Sequence, residues 1–209
     1  MPFRTRYIAL AGPAWPPNGN RASVIYSTIA RAIRAPNPAQ KVNVLNTLQV
    51  LVVNFDATYH HHLESQANFN TWHSQAVGAL MAIPFTWRDA SGTAHTSLTF
   101  GAAQKFLNLA VKDWWALSLN GTHHETRVEY LHGPLDSIVY TCTSRFRGPL
   151  ASLHNPNGTL RSYVYFLTVN DYQTYQNHLS DIANHLTGAL GLGNSIRRIE
   201  VEQLLWGWV

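Results

Sequence analysis

Between Phe100 and Leu117 apolar and polar side chains recur at the helical period. Phe106, Leu107, Ala110, Val111, Trp114 and Trp115 form a broad apolar stripe, while Gly101, Lys105, Asn108 and Lys112 gather on the other side at spacings of four, three and four. The pattern predicts a helix over 100–117. Upstream, Ser23 is placed to cap a helix running to Arg34, with Ile25, Ile29 and Ile33 on one face, ended by Pro36 and Pro38. From Pro38 to Glu64 the positions of Val42, Leu45, Leu48, Val52 and Phe55 predict a second helix whose end carries three histidines. A third, Asn70 to Met81, presents Trp72, Ala76, Val77 and Leu80 and stops near Pro84.

Trp87 to Ser97 reads as a loop or hairpin, and Ser137 to Thr143 fits strand or helix. Ser162 to Thr168 alternates as a strand would. Asp171 is placed to cap a helix reaching Leu186, along which Tyr172, Tyr175, Leu179 and Ile182 align, and Ser195 to Trp208 supplies the last apolar segment. Residues 1–20, rich in proline and glycine, predict an irregular N-terminal arm. Asn120-Gly121 and Asn157-Gly158 predict turns, and the Gly188 to Gly193 stretch a helix C-cap and linker. The sum is a mainly α fold, a single compact helical domain over 1–209 with little β.

With 209 residues, 45% of them hydrophobic, the chain can bury a sizeable core. Charged residues are only 12%, and lysine plus arginine exceed the acids 15 to 11, a basic balance compatible with a phosphate-bearing partner. A lone cysteine, Cys142, excludes an internal disulfide framework and cysteine-rich metal sites, so a cytoplasmic protein is expected. No apolar run reaches membrane-spanning length, and no membrane partner is expected.

The histidines do not make a metal motif. His60, His61 and His62 point in three directions about a helix, Glu64 is the one carboxylate at matched spacing, and His123-His124-Glu125 falls in a predicted loop; hydrogen-bonded or solvated histidines are the reading, with no metal and no cofactor. Neither a Gly-x-Ser-x-Gly elbow nor a phosphate-binding glycine loop occurs. A histidine-dependent metal hydrolase therefore has the weakest footing. Lys105 and Asp136, 31 residues apart, offer more. A primary amine attacks an electrophilic sugar carbon when burial or a cationic neighbour such as Lys112 favours its neutral form, and an aspartate stabilises the sugar cation as a base departs. The alternative is a solvated Lys105 and an Asp136 that caps the element beginning at Ser137.

The string Gly101-Ala102-Ala103-Gln104-Lys105-Phe106-Leu107-Asn108, followed by Pro134-Leu135-Asp136-Ser137-Ile138-Val139, resembles the active-site half of the helix-hairpin-helix DNA glycosylases, especially those acting on 8-oxoguanine. The resemblance covers about 40 residues, and the family's second hairpin glycine is Ala103 here. It implies a helix-hairpin-helix motif, double-stranded DNA as partner, Lys105 as the base-displacing nucleophile and Asp136 as the residue that stabilises the sugar cation. Gln104, Asn108, Lys112, His132 and Trp72 are the substrate-binding candidates beside them. Trp15, Trp87 and Trp208 join Trp72 as candidate stacking platforms for an extruded base, and Arg145, Arg147, Arg161, Arg197 and Arg198 as clamps on the DNA backbone. Trp72-His73, the 100–112 segment, the His132-Gly133-Pro134-Leu135-Asp136 string, Asp171-Tyr172 through Tyr175-Gln176, and Glu200 and Glu202 with Trp206 are also similar to a widespread group of bacterial and phage proteins, from which no function carries over. The expectation is a DNA glycosylase, with or without lyase activity; its rival is a non-catalytic nucleic-acid- or protein-binding module in phage–host conflict.

Overall fold

The computed structural model describes residues 38–88, 92–117, 128–135, 137–154, 156–158, 167–189, 191 and 196–206. The helix expected over 23–34, the irregular arm, most of the 162–168 strand, Trp15, Asp136, Arg161, Trp208 and the Asn120 turn lie outside them. The described part is mainly helical, with one two-stranded sheet. Contacts divide the chain into two compact units, 1–130 and 131–209.

In the first unit, α1 (Pro38–His62), α2 (Gln66–Met81) and α3 (Phe100–Leu117) pack on one another, with β1 (Pro84–Arg88) and β2 (Ala94–Ser97) between α2 and α3 in sequence. The core face of α1 is Val44, Leu48, Val52 and Phe55, all at most 2% exposed, whereas Val42 is 50% exposed. At ~100° per residue Val42 stands ~160° round the helix from Val44, so the stripe read through Val42 and Leu45 drifts off the buried face. Ser65 caps α2 by accepting from the Asn68 N–H at 3.1 Å. That cap sets the start of α2 four residues before Asn70.

Phe55 anchors an aromatic cluster, its ring centroid 4.2 Å from Trp72 and 4.8 Å from Trp114, the latter edge-on. Trp114 Nε1 donates to Asp56 Oδ1 at 2.7 Å, satisfying the indole of a fully buried ring. The segment read as loop or hairpin is an antiparallel β-hairpin, with Trp87 opposite His95 and an irregularity between Pro84 and Trp87. Phe85 and Trp87 point inward in strict alternation.

The second unit contains α4 (Ser137–Arg147), a 3-10 turn (Ala151–Leu153), α5 (Val169–Ala189) and α6 (Arg198–Trp206). Ser137 to Thr143 resolves as helix, with Val139, Tyr140 and Thr143 buried at helical spacing. Asp171 does not cap α5. Thr168 Oγ1 accepts from the Asp171 N–H at 3.1 Å, while the Asp171 carboxylate accepts from the Ser152 N–H at 2.7 Å and ties α5 to the 3-10 turn. Glu200 Oε2 reaches back to the Arg197 N–H at 3.0 Å and starts α6, three residues later than the apolar pattern begins. Gly191 (φ 58°) and Gly158 (φ 79°) hold the left-handed backbone that the turns after α5 and at Asn157 require.

Candidate functional site

Helix α3 carries an unusual load. Besides its apolar stripe, Gln104, Lys105, Asn108, Lys112 and Asp113 are each no more than 5% exposed, so Lys105 is not the solvated cation of a surface face. A helix with no solvated side normally buries apolar residues all round; this one buries two lysines and an aspartate, whose desolvation opposes folding.

The polar row is ordered by hydrogen bonds that run in one direction. Gln104 Nε2 donates to the Gly101 carbonyl at 2.8 Å, Asn108 Nδ2 donates to Gln104 Oε1 at 2.9 Å, and His73 Nε2 lies 2.9 Å from Asn108 Oδ1. His73 comes from the buried face of α2, beside Phe69, Trp72, Ala76 and Val77. Burial pulls its pKa down to about 4, against a smaller opposing effect of the Asn108 hydrogen bond, so the imidazole is neutral at pH 7.

Four of the expected site residues, Gln104, Lys105, Asn108 and Lys112, therefore share one buried row in the first unit. Trp72 lies on α2 in the Phe55 cluster. Trp87 is no stacking platform: it is fully buried, donates from Nε1 to the Ser97 carbonyl at 2.9 Å and stacks on His95 at 4.3 Å. The hairpin ahead of Lys105 is the β1–β2 hairpin, not one joining two helices, and Gly101 and Ala103 lie inside α3.

His132 belongs to the second unit, on a strap, 131–135, buried at every position. Three side chains on one face of α5 hold it. His132 Nδ1 lies 2.8 Å from Tyr172 Oη, Tyr175 Oη donates to the Pro134 carbonyl at 3.1 Å, and Gln176 clamps the Gly133 residue from both sides, accepting from its N–H at 3.0 Å and donating to its carbonyl at 2.8 Å. Gly133 has no room for a side chain: a Cβ there meets Leu179 Cδ1 and stands 3.2 Å from the Arg198 carbonyl oxygen. Arg198 is buried rather than part of a solvated arginine pair, Arg197 lies 3.8 Å from Glu200, and Arg147 lies 3.8 Å from Asp181.

Of the histidine run, His62 turns inward and stacks on Phe55 at 5.8 Å, and its pKa is lowered by burial and then by His61 and His60. His60 and His61 are exposed. Among the described residues no three histidine, cysteine, aspartate or glutamate side chains converge as a metal site requires, and no helix is long and apolar enough to cross a membrane.

The pattern did not disclose His73 or Gln176 as partners. Each is a polar residue inside an otherwise apolar stripe, which was the available signal. No protein-family model, curated protein or solved structure matches the chain.

Proposed function

We propose that the protein is a DNA glycosylase with lyase activity, using Lys105 as nucleophile. The observation that carries this reading is Lys105 itself: a primary amine 5% exposed on a rigid helix, in the same row as Gln104, Asn108 and Lys112, in a chain with 12% charged residues. Buried charge of this kind opposes folding and concentrates where charge is used.

In the proposed reaction the Lys105 amine nitrogen forms a bond to C1′ of an extruded nucleotide while the glycosidic electron pair leaves with the base, which takes up one amine proton. Ring opening then passes the second proton to O4′ and leaves an imine. The resemblance to the glycosylases, rather than any placement in the structure, gives Asp136 the stabilisation of positive charge on the sugar as the base leaves. The polar side chains of Asn108 and Gln104, both in fixed orientation, are assigned to the substrate.

The test is borohydride trapping on duplexes carrying 8-oxoguanine, uracil, alkylated or phage-type modified bases. The expected result is a covalent adduct on one of them, absent in Lys105→Ala, and base release slowed in Asp136→Asn with DNA binding retained. No adduct and no abasic product on any substrate would sink the reading. The internal use of the 132–134 strap as a packing element favours one rival, a non-catalytic binding module, which predicts salt-dependent DNA binding without scission and indifference to Asp136→Asn.

A further inference from the structure

One backbone carbonyl fixes the polarity of the whole buried chain. The Gly101 carbonyl can only accept, so the group of Gln104 that faces it is the amide nitrogen, which leaves Gln104 Oε1 for the next contact. An oxygen there requires Asn108 to present Nδ2, and Asn108 Oδ1 is thereby turned toward α2. The nitrogen of His73 that meets this oxygen must carry a proton, so His73 is the Nε2–H tautomer and Nδ1 is its basic nitrogen.

Neither glutamine nor asparagine can reverse its amide without setting two like groups against each other. The donor that locks the far end is a histidine 35 residues away in sequence, on a different helix. Asn108 stands three residues beyond Lys105, one turn along the same buried row, with Gln104 one turn back from Asn108, so the orientation of the Asn108 amide sets the polar group presented beside the Lys105 stem.

We propose that His73 is a positioning residue for the Lys105 site: the Gly101 carbonyl and Gln104 set which way the Asn108 amide faces, and the His73 Nε2–H, bonded to Asn108 Oδ1, pins that side chain in place beside the nucleophile. The assignment rests on the lysine-nucleophile reading for its catalytic meaning, while the amide order and the proton on His73 Nε2 stand on geometry alone.

The test compares His73→Leu with His73→Gln. Leucine keeps apolar volume and has no donor; glutamine carries its amide nitrogen the same number of bonds from the backbone as Nε2. At saturating DNA, His73→Leu is expected to slow Lys105 adduct formation by about tenfold or more with little change in half-saturation, and His73→Gln to recover most of the rate. Equal rates in His73→Leu and wild type, or a folded His73→Gln as slow as His73→Leu, would overturn the assignment. So would nitrogen NMR showing His73 as the Nδ1–H tautomer. If the wild-type protein forms no adduct on any substrate, the glycosylase reading falls alone. The His73 assignment is then decided by the rate at which a small acylating reagent modifies Lys105, read by mass spectrometry: a change in His73→Leu that reverts in His73→Gln supports it, and identical rates in all three proteins refute it.

Discussion

Gln176→Leu removes both partners of Gly133 at once. The two bonds are 3.0 and 2.8 Å long, Gln176 is fully buried and so is the strap, so the Gly133 N–H and carbonyl are left without Gln176 where water cannot readily replace it. Each buried group deprived of its partner costs about 1–3 kcal/mol, and the leucine returns roughly 1 kcal/mol through apolar burial, for a net loss of about 3 kcal/mol. Gln176→Glu separates the two bonds. Its carboxylate still accepts from the Gly133 N–H but faces the Gly133 carbonyl oxygen with no proton to give; protonated, it can serve both. Folding therefore favours the neutral acid and raises its pKa, so stability is retained at low pH and lost as pH rises above the unfolded value of about 4.3. Urea unfolding of the three proteins at pH 5 and 7, with hydrogen exchange at the Gly133 amide, measures the effect. The Glu variant should lie closer to wild type at pH 5 than at pH 7. A loss below about 1 kcal/mol in Gln176→Leu, with Gly133 exchange still slow, would refute the account of the strap.

Gly133→Ala should destabilise by about 1–3 kcal/mol in thermal or urea melts, because the new methyl overlaps Leu179 and crowds the Arg198 carbonyl, and pairing it with Leu179→Ala should cost less than the sum of the two changes. His73 predicts a pH window: its folded pKa, about 4, lies below the unfolded value near 6.5, so the unfolded chain binds the proton first and stability falls as pH drops from 6.5 toward 4. The full effect is about 3 kcal/mol and should vanish from the pH profile of His73→Gln.

The elements with one apolar face and a clear stop were legible in the sequence. Helix α3 runs from Phe100 to Leu117 as its stripe predicts, and α2 ends at Met81 ahead of Pro84. Where two faces carried apolar residues the reading slipped: Val42 looks as apolar as Val44, and only packing selects between them. Capping at Thr168 rather than Asp171 escaped because either residue can accept from an N–H, and the choice depends on Ser152 drawing the carboxylate away. The polar row on α3 could be read as a row, but not as buried. That His73 joins it, and that Gln176 holds Gly133, are contacts across 35 and 43 residues, for which local periodicity contains no term.

From Gly101 to Trp115 every side-chain position of α3 is buried except the half-buried Leu109. A surface helix can absorb an inserted residue by letting its register roll toward water. Helix α3 has no such slack: one extra residue ahead of Lys105 would turn everything beyond it by ~100°, delivering the Lys105 ammonium into the slot of Phe106 and the Asp113 carboxylate into that of Trp114. Sequence length within this segment should therefore be held more rigidly than side-chain identity, and lineages that lengthen or shorten the chain should do so outside it.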